Sequence, residues 1–451
     1  MVRSQKVAVV GAGISGLSAA WLLSRGHEVT LFESEPRPGG HSHTVDVPGP
    51  DRAVPVDTGF IVYNVASYPN LVALFEHLSV PTAPTRMGFA VSLDGGTYEY
   101  SGSGLSGLFG QPRNLASPGH WRMIADTMRF FREARELAGQ SGDDAGPTLG
   151  DYLRQQRYSS QFVERHILPM AAAIWSTPSG DVMAFPAKAF ARFFHNHGLL
   201  QVSGRSPWRT VAGGSREYVR RLLADFRGQV ATGNKVRAIE RHAGGVDVIA
   251  QSGRATFDAC VIATHADQAL SLLGDADGEE RRLLGAFRYR SNLAVLHRDP
   301  SLMPRRRRLW SSWNYLATTG AGERQLSVSY WMNELQPLGP KVGDVFVTLN
   351  PGREIASDRV VASFDYAHPI FDQAAMAAQR DLWQLQGQRR TWFCGSYFGY
   401  GFHEDGLQSG LWVAEDIGGV RRPWQVAGES GRLSLGPRSR PVQARQAESV
   451  G

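Results

Sequence analysis

The chain is 451 residues long, 42% apolar and 20% charged, with a formal net charge of +6. That composition fits a globular protein of two or three domains and excludes fibrous and wholly disordered classes. Lysine occurs only at positions 6, 188, 235 and 341, so the mild basic surplus is almost all arginine and points to no nucleic-acid partner; two distant cysteines, Cys260 and Cys394, exclude a disulfide framework and a zinc pattern and predict a reducing cytoplasm.

The first element is a short buried strand, Val7 to Val10, followed by Gly11, Gly13 and Gly16 in G-x-G-x-x-G spacing. Ile14 to Arg25 carries helical apolar spacing closed by Gly26, and "EVTLFES" supplies a second strand ending in Glu33. The same stretch has the basic start and apolar core of a signal peptide, but the glycine turn and the acid about twenty residues further on weigh against that reading. The first glycine allows a tight turn, the second a close backbone approach to a pyrophosphate, and the third close helix–strand packing. Ala12, Ile14 and Ser15 complete the turn, whose helix N-terminus favours phosphate. Glu33, with Ser34 beside it, suits a ribose hydroxyl and repels a 2′-phosphate, so the expected ligand is an adenine dinucleotide other than NADP.

A second glycine pair, Gly39 and Gly40, lies in "SEPRPGGHSHTVDV", before "VPVDTGFIVYN". Residues 68–200 read as mostly helical. Ser117 and Pro118 fit N-cap and N1 of a helix with Trp121, Ile124, Met128 and Phe131 on one face, and Thr148 and Asp151 have capping-box spacing. Apolar runs at 235–242, 245–251 and 254–263 read as an antiparallel meander, and residues 286–366 alternate as antiparallel strands. Near the C-terminus, "FCGSYFGYGFHEDGLQSG" combines glycines with aromatic rings and leads into the helix candidate "LQSGLWVAEDI". No apolar run reaches the ~20 residues of a membrane span.

These segments, in this order, resemble the flavin-containing amine oxidoreductase superfamily of monoamine and polyamine oxidase-like proteins. The resemblance implies an α/β fold: a Rossmann-type FAD-binding domain, a doubly wound parallel sheet with a small antiparallel meander, interleaved with an α+β substrate domain. The FAD-binding part would comprise residues 1–63, 207–285 and 386–420 and the substrate part 64–206 and 286–385, leaving 421–451 as a disordered basic tail. It implies non-covalent FAD, contacted by Gly39, Gly40 and His41, by Thr58, Gly59 and Phe60 after Asp57, by Val236 at the adenine, by Ala263 and Thr264, and by Gly395, Glu404, Asp405, Gly406 and Leu407. More narrowly, "GGHSHTVDV", "DTGFIVYN", "SSWNY" and "GYGFHEDGLQSGL" resemble bacterial FAD/NAD-binding proteins that accompany cyclopropane-fatty-acid-synthase-like methyltransferases. That implies dehydrogenation of a fatty acyl or lipid chain at flavin N5, linked to a fatty-acid methyltransferase.

Two departures favour a less polar substrate than an amine. Asn292 stands where the superfamily keeps a lysine near flavin N5, and Phe402 where it usually has tyrosine. The rival readings are an amine oxidase releasing hydrogen peroxide and a non-catalytic flavoprotein assisting a lipid-modifying partner. Tyr397, Tyr400 and His403 are the catalytic candidates, although His403 and Glu404 would equally serve to hold the flavin loop; Phe402, Asn292 and Phe194 are expected to line the substrate. Phe185, Phe190, Phe193, Phe194, Leu199 and Leu200 fit either an acyl tunnel or core. His41 with His43, and His195 with His197, lack accompanying acids or cysteines, so no metal is expected. The run Arg305 to Arg308 and the tail suit either an anionic membrane surface, placing the protein at the inner face of the membrane, or a solvated hairpin end.

Overall fold

The computed structural model of the protein describes residues 3–140, 146–175, 179–196, 198–201, 206–319 and 324–436. A parallel five-stranded sheet has the order Gln229–Ala231, Glu28–Phe32, Lys6–Val10, Ala259–Ile262, Thr391–Phe393. Alternate side chains of its central strand enter different cores. Val7 and Val9 pack with residues of the helices Ile14–Leu23 and His403–Ile417, whereas Ala8 and Val10 join a core shared with the meander Val236–His242, Gly245–Ala250 and Gly253–Phe257. Burial on both faces explains why the strand reads as an unbroken apolar run.

The two helices pack closely on each other, and glycine makes this possible. A Cβ on Gly410 would overlap Ser15 O and Ser18 Oγ, and one on Gly406 would lie 2.9 Å from both Ile14 Cγ2 and Ser15 Oγ. A seven-stranded sheet faces the cleft, in the order Val360–Ile370, Arg288–His297, Phe346–Leu349, Arg324–Trp331, Trp313–Thr319, Phe89–Leu93, Tyr98–Ser101. Its one parallel pair joins Trp313–Thr319 to Phe89–Leu93; the rest are antiparallel.

Three expectations change. Ser117 caps the helix Pro118–Gly139 as its sequence predicts, but the buried face is Met123, Phe130, Phe131 and Ala134, leaving Trp121 49% and Met128 52% exposed. Residues 421–436 are not a free tail. The Arg422 guanidinium is buried between Glu415 and Glu429, Trp424 stacks on Trp21 with centroids 5.9 Å apart, and Arg432 donates to Asp405. The remainder of the expected tail, and His197, lie outside the described residues. In the arginine run, Arg306 pairs with Glu99 at 2.6 Å and Arg307 with Asp344 at 2.9 Å, so half of it is neutralised within the chain. Among the described residues no helix is long and apolar enough to cross a membrane, and no cluster of metal-ligating side chains forms.

Candidate functional site

A cavity of about 880 Å³ opens at the carboxyl ends of the parallel strands and runs to the seven-stranded sheet. At its first end the glycine turn is shaped by backbone requirements. Gly11 has φ +101°, and its Cβ would meet Ala263 O at 2.9 Å; a Cβ on Gly16 would overlap Gly11 O. Gly13 differs from both, because nothing stands within 4 Å of the place its Cβ would take. It precedes Ile14–Leu23 with no side-chain cap, so the first amides of that helix are presented toward the cavity. Glu33 is buried on the wall, where one carboxylate oxygen accepts from Ala12 N at 2.9 Å and the other from Glu35 N at 2.9 Å and Ser34 Oγ at 3.2 Å. The acid is thus clamped to the turn, with its remaining acceptor capacity available to a ribose hydroxyl.

Gly39 N donates to Ala12 O at 2.8 Å, and Gly40, with φ +54°, lies so close to Gly13 that its Cβ would sit 3.1 Å from Gly13 Cα. The segment Thr58 to Phe60 folds back onto His41: Phe60 N donates to His41 O at 2.7 Å, and a Cβ on Gly59 would overlap the same oxygen. His41, Val236, Ala263, Thr264 and Gly395 also line the cavity, as do Tyr397, Tyr400, Phe402 and His403.

Seven expected site residues do not line it. Gly16 closes the helix against the turn, and Gly406 and Leu407 belong to the packing of His403–Ile417 on Ile14–Leu23. Glu404 is buried and accepts from Asn70 N, Leu71 N, Asn70 Nδ2 and Gln408 Nε2, so it caps the helix Pro69–His77 from the side. Asp405 accepts from Tyr400 N at 2.9 Å, Phe402 N at 2.8 Å and Arg432 at 3.0 Å, which fixes the shape of the Tyr400 to Phe402 wall. Phe194 stacks on Phe190 at 4.3 Å in the core, and Phe193 takes the wall position instead, stacked on Phe402 at 4.9 Å. Asn292 is buried behind the wall, where it bonds His368.

Sequence reasoning missed His265, Tyr366 and His368, all on the wall. The signals for them were "ATHADQ", directly after Thr264, and the alternation of "FDYAHPIF", which puts Tyr366 and His368 on one face of a strand. Burial lowers His403 to about 3 and His368 to about 4. Burial first, then neighbouring imidazoles, hold His41 well below the ordinary value, and burial also lowers His265. The cavity therefore carries neutral imidazoles. His403 lies flat on Phe60 at 3.8 Å, with Nε2 bonded to Tyr218 Oη at 2.7 Å and Ser42 Oγ at 3.2 Å. Its outer nitrogen is thus engaged in holding the loop.

The fit to a flavin dinucleotide follows from the empty cradle at Gly13, the clamped acid and two buried polar atoms without a partner among the described residues, His41 Nε2 and Tyr397 Oη. The family described as flavin containing amine oxidoreductase matches residues 14–298. The flavin-containing monoamine oxidase AofH of Mycobacterium tuberculosis is 31% identical over 273 residues, 57% of this chain and 56% of its own length, so the chain spans just over half of that relative. The hydroxyneurosporene desaturase of Rubrivivax gelatinosus is 45% identical over 147 residues, 32% of this chain and 23% of its own. The crystal structure of a CLA-producing fatty acid isomerase from P. acnes superposes with a TM-score of 0.66 at 14% identity, covering 92% of this chain and 98% of the other, a likeness of fold. The chain belongs to the flavin-containing amine oxidoreductase family, and FAD is the dinucleotide that its glycine turn and clamped acid fit.

Proposed function

We propose that the chain is an FAD-dependent oxidoreductase that dehydrogenates an apolar substrate, a fatty acyl or similar lipid chain. The observation that carries this reading is the wall beyond the dinucleotide turn. The only carboxylates on the cavity wall among the described residues are Glu33 and Glu35, at the turn, whereas the far side presents Phe89, Met170, Ile174, Phe193, Trp313 and Leu349. An ammonium would be desolvated there without a counter-charge, while an alkyl chain gains roughly 0.8 kcal/mol per buried CH₂. Bound FAD supplies the hydride acceptor for a C–H bond, with a proton released to solvent and both electrons passed on to dioxygen or a quinone. The residues of the wall bury the chain, exclude water and keep their imidazoles uncharged beside it. The desaturase relative supports dehydrogenation; a methyltransferase acting on acyl chains is the class of enzyme that would supply a modified substrate.

The monoamine oxidase relative favours a second reading, oxidation of an amine held against Tyr330, Tyr366 and Trp313. Anaerobic mixing separates the two. The yellow holoprotein is expected to bleach with acyl lipids and to stay oxidised with primary and secondary amines. Bleaching by amines alone would sink the lipid reading, and a flavin that no substrate reduces would point to a non-catalytic flavoprotein.

A membrane contact is proposed for a surface other than the arginine run. Leu105, Leu115, Trp121 and Met128 are exposed within 24 residues of one another, and residues 105–128 carry Arg113 and Arg122 against one acid, Asp126, which is buried and pairs with Arg122 at 3.2 Å. Exposed apolar side chains with a net positive charge among them complement an anionic bilayer. Trp121→Ser with Leu115→Ser is expected to lower sedimentation with phosphatidylglycerol vesicles at least tenfold, at roughly 1.5–3 kcal/mol per side chain withdrawn. Unchanged sedimentation of the variant would count against the patch.

A further inference from the structure

A chain of amide contacts behind the cavity determines where one wall histidine carries its proton. Leu293 N donates to Asn350 Oδ1 at 3.0 Å, so the other end of that amide, Asn350 Nδ2, is the donor to Asn292 Oδ1 at 2.7 Å. Asn292 Nδ2 then faces two acceptors, Arg290 O at 3.3 Å and His368 Nδ1 at 3.0 Å. A backbone N–H at one end and a backbone carbonyl at the other fix both amides without ambiguity, because neither backbone group can exchange its role. Asn292 is 1% exposed, so no solvent competes for its contacts.

His368 Nδ1 must therefore accept. In a neutral imidazole whose Nδ1 accepts, the proton sits on Nε2. Nε2 makes no hydrogen bond among the described residues, and His368 lines the cavity, with its ring 5.5 Å from that of His41. The strand pair that carries this arrangement, Arg288–His297 with Val360–Ile370, places Arg290 opposite His368 and Asn292 opposite Tyr366, so Asn292 reaches His368 along the diagonal of the same ladder.

We infer that Asn292 is a positioning residue that holds His368 as a neutral Nε2–H donor to the cavity, and that His368 recognises a hydrogen-bond acceptor of a molecule bound there, the flavin or the substrate. As a donor on that side it cannot act as the proton acceptor there, which separates it from a general base. The tautomer is independent of the substrate proposed above; only the acceptor that occupies it rests on that reading.

Two measurements test this on the full-length holoprotein. In long-range ¹H–¹⁵N spectra of ¹⁵N-histidine protein at neutral pH, the signal lost in His368→Gln is expected to have the Nε2–H pattern. Asn292→Asp, which offers only an acceptor, is expected to reverse it to Nδ1–H, and Asn292→Ala to give a mixture. An Nδ1–H or imidazolium pattern in the unaltered protein would overturn the inference. In the second measurement, His368→Phe removes the donor and His368→Gln retains one. If the acceptor is the flavin, the visible band of substrate-free His368→Phe shifts while His368→Gln keeps it. If the acceptor is a substrate oxygen, the band is unchanged and substrate binding falls about tenfold in His368→Phe, with recovery in His368→Gln. A phenylalanine variant that changes neither would overturn the recognition role.

Discussion

Gly13→Ala is expected to give a folded but colourless protein. Its backbone, at φ −72° and ψ 179°, is one that any residue adopts, and no atom of the chain stands within 4 Å of the new methyl. The flavin-free fold is therefore expected to keep its stability to within about 0.5 kcal/mol. The methyl stands instead in the cradle at the start of Ile14–Leu23, where a close backbone approach to phosphate is needed, and a loss of FAD affinity of at least about 100-fold, or about 3 kcal/mol, follows. Gly16→Ala is expected to behave in the opposite way. Its methyl overlaps Gly11 O and lies 3.0 Å from Ala263 Cβ, so the turn and the helix must separate, at a cost of roughly 3 kcal/mol or more before any ligand is considered. Melting of the flavin-free variants together with flavin titration by absorbance distinguishes a binding defect from a packing defect. A Gly13→Ala protein purified with a full complement of flavin would show that the cradle is not the phosphate site.

The difference between these two glycines explains how much of the site was legible. A G-x-G-x-x-G turn is specified by backbone sterics over six residues, and the acid that completes it lies on the next strand, so local pattern was enough for Gly11, Gly13, Gly16 and Glu33. The C-terminal stretch was different. Glu404 looks like a candidate acid or base because its partners, Asn70 and Leu71, are 334 and 333 residues away, and Asp405 looks like a flavin contact because its partner Arg432 lies in a segment whose composition reads as disordered. Nothing near either carboxylate in sequence shows that its oxygens are already engaged. The helix Pro118–Gly139 shows a smaller error of the same kind. Its existence and cap were local, but choosing among several apolar stripes required knowing what it packs against, and each residue of offset turns the face by about 100°. His368 was hidden for a third reason, since it reaches the cavity only through the register of its strand with Arg288–His297.

Acidification of the flavin-free protein from pH 6.5 toward pH 4.5 is expected to unfold it. Burial holds His297 and His368 at about 4 and His403 at about 3, whereas the unfolded chain titrates near the ordinary imidazole value of 6.5. With the folded values depressed, the unfolded state binds more protons throughout this window, so the contribution of these groups is fully present above pH 6.5 and is lost as pH falls. Each contributes a slope of about 1.4 kcal/mol per pH unit. Asp57 acts in the other direction. Burial raises it to about 6 against the pull of donors from Thr44, Ser215 and Gln336, so its folded form gains a proton below that value and offsets one histidine. Glu404, also raised by burial, adds to the offset, while His43, lowered to about 4 by burial and then by Arg37, and His41 and His265 shift with the other histidines. Three histidines against Asp57 leave about 3 kcal/mol per pH unit, or about 6 over two units, comparable with the ~5–15 kcal/mol that a whole domain has. Denaturant midpoints between pH 7 and pH 4.5 measure this. His297 lies outside the cavity, bonded to Thr348 Oγ1 at 2.7 Å, so His297→Asn isolates one group and is expected to flatten the slope by about 1.4 kcal/mol per pH unit. A stability curve that is level across this range would mean that the buried imidazoles accept protons in place, and the cavity would then present positive charge rather than a neutral wall to its substrate.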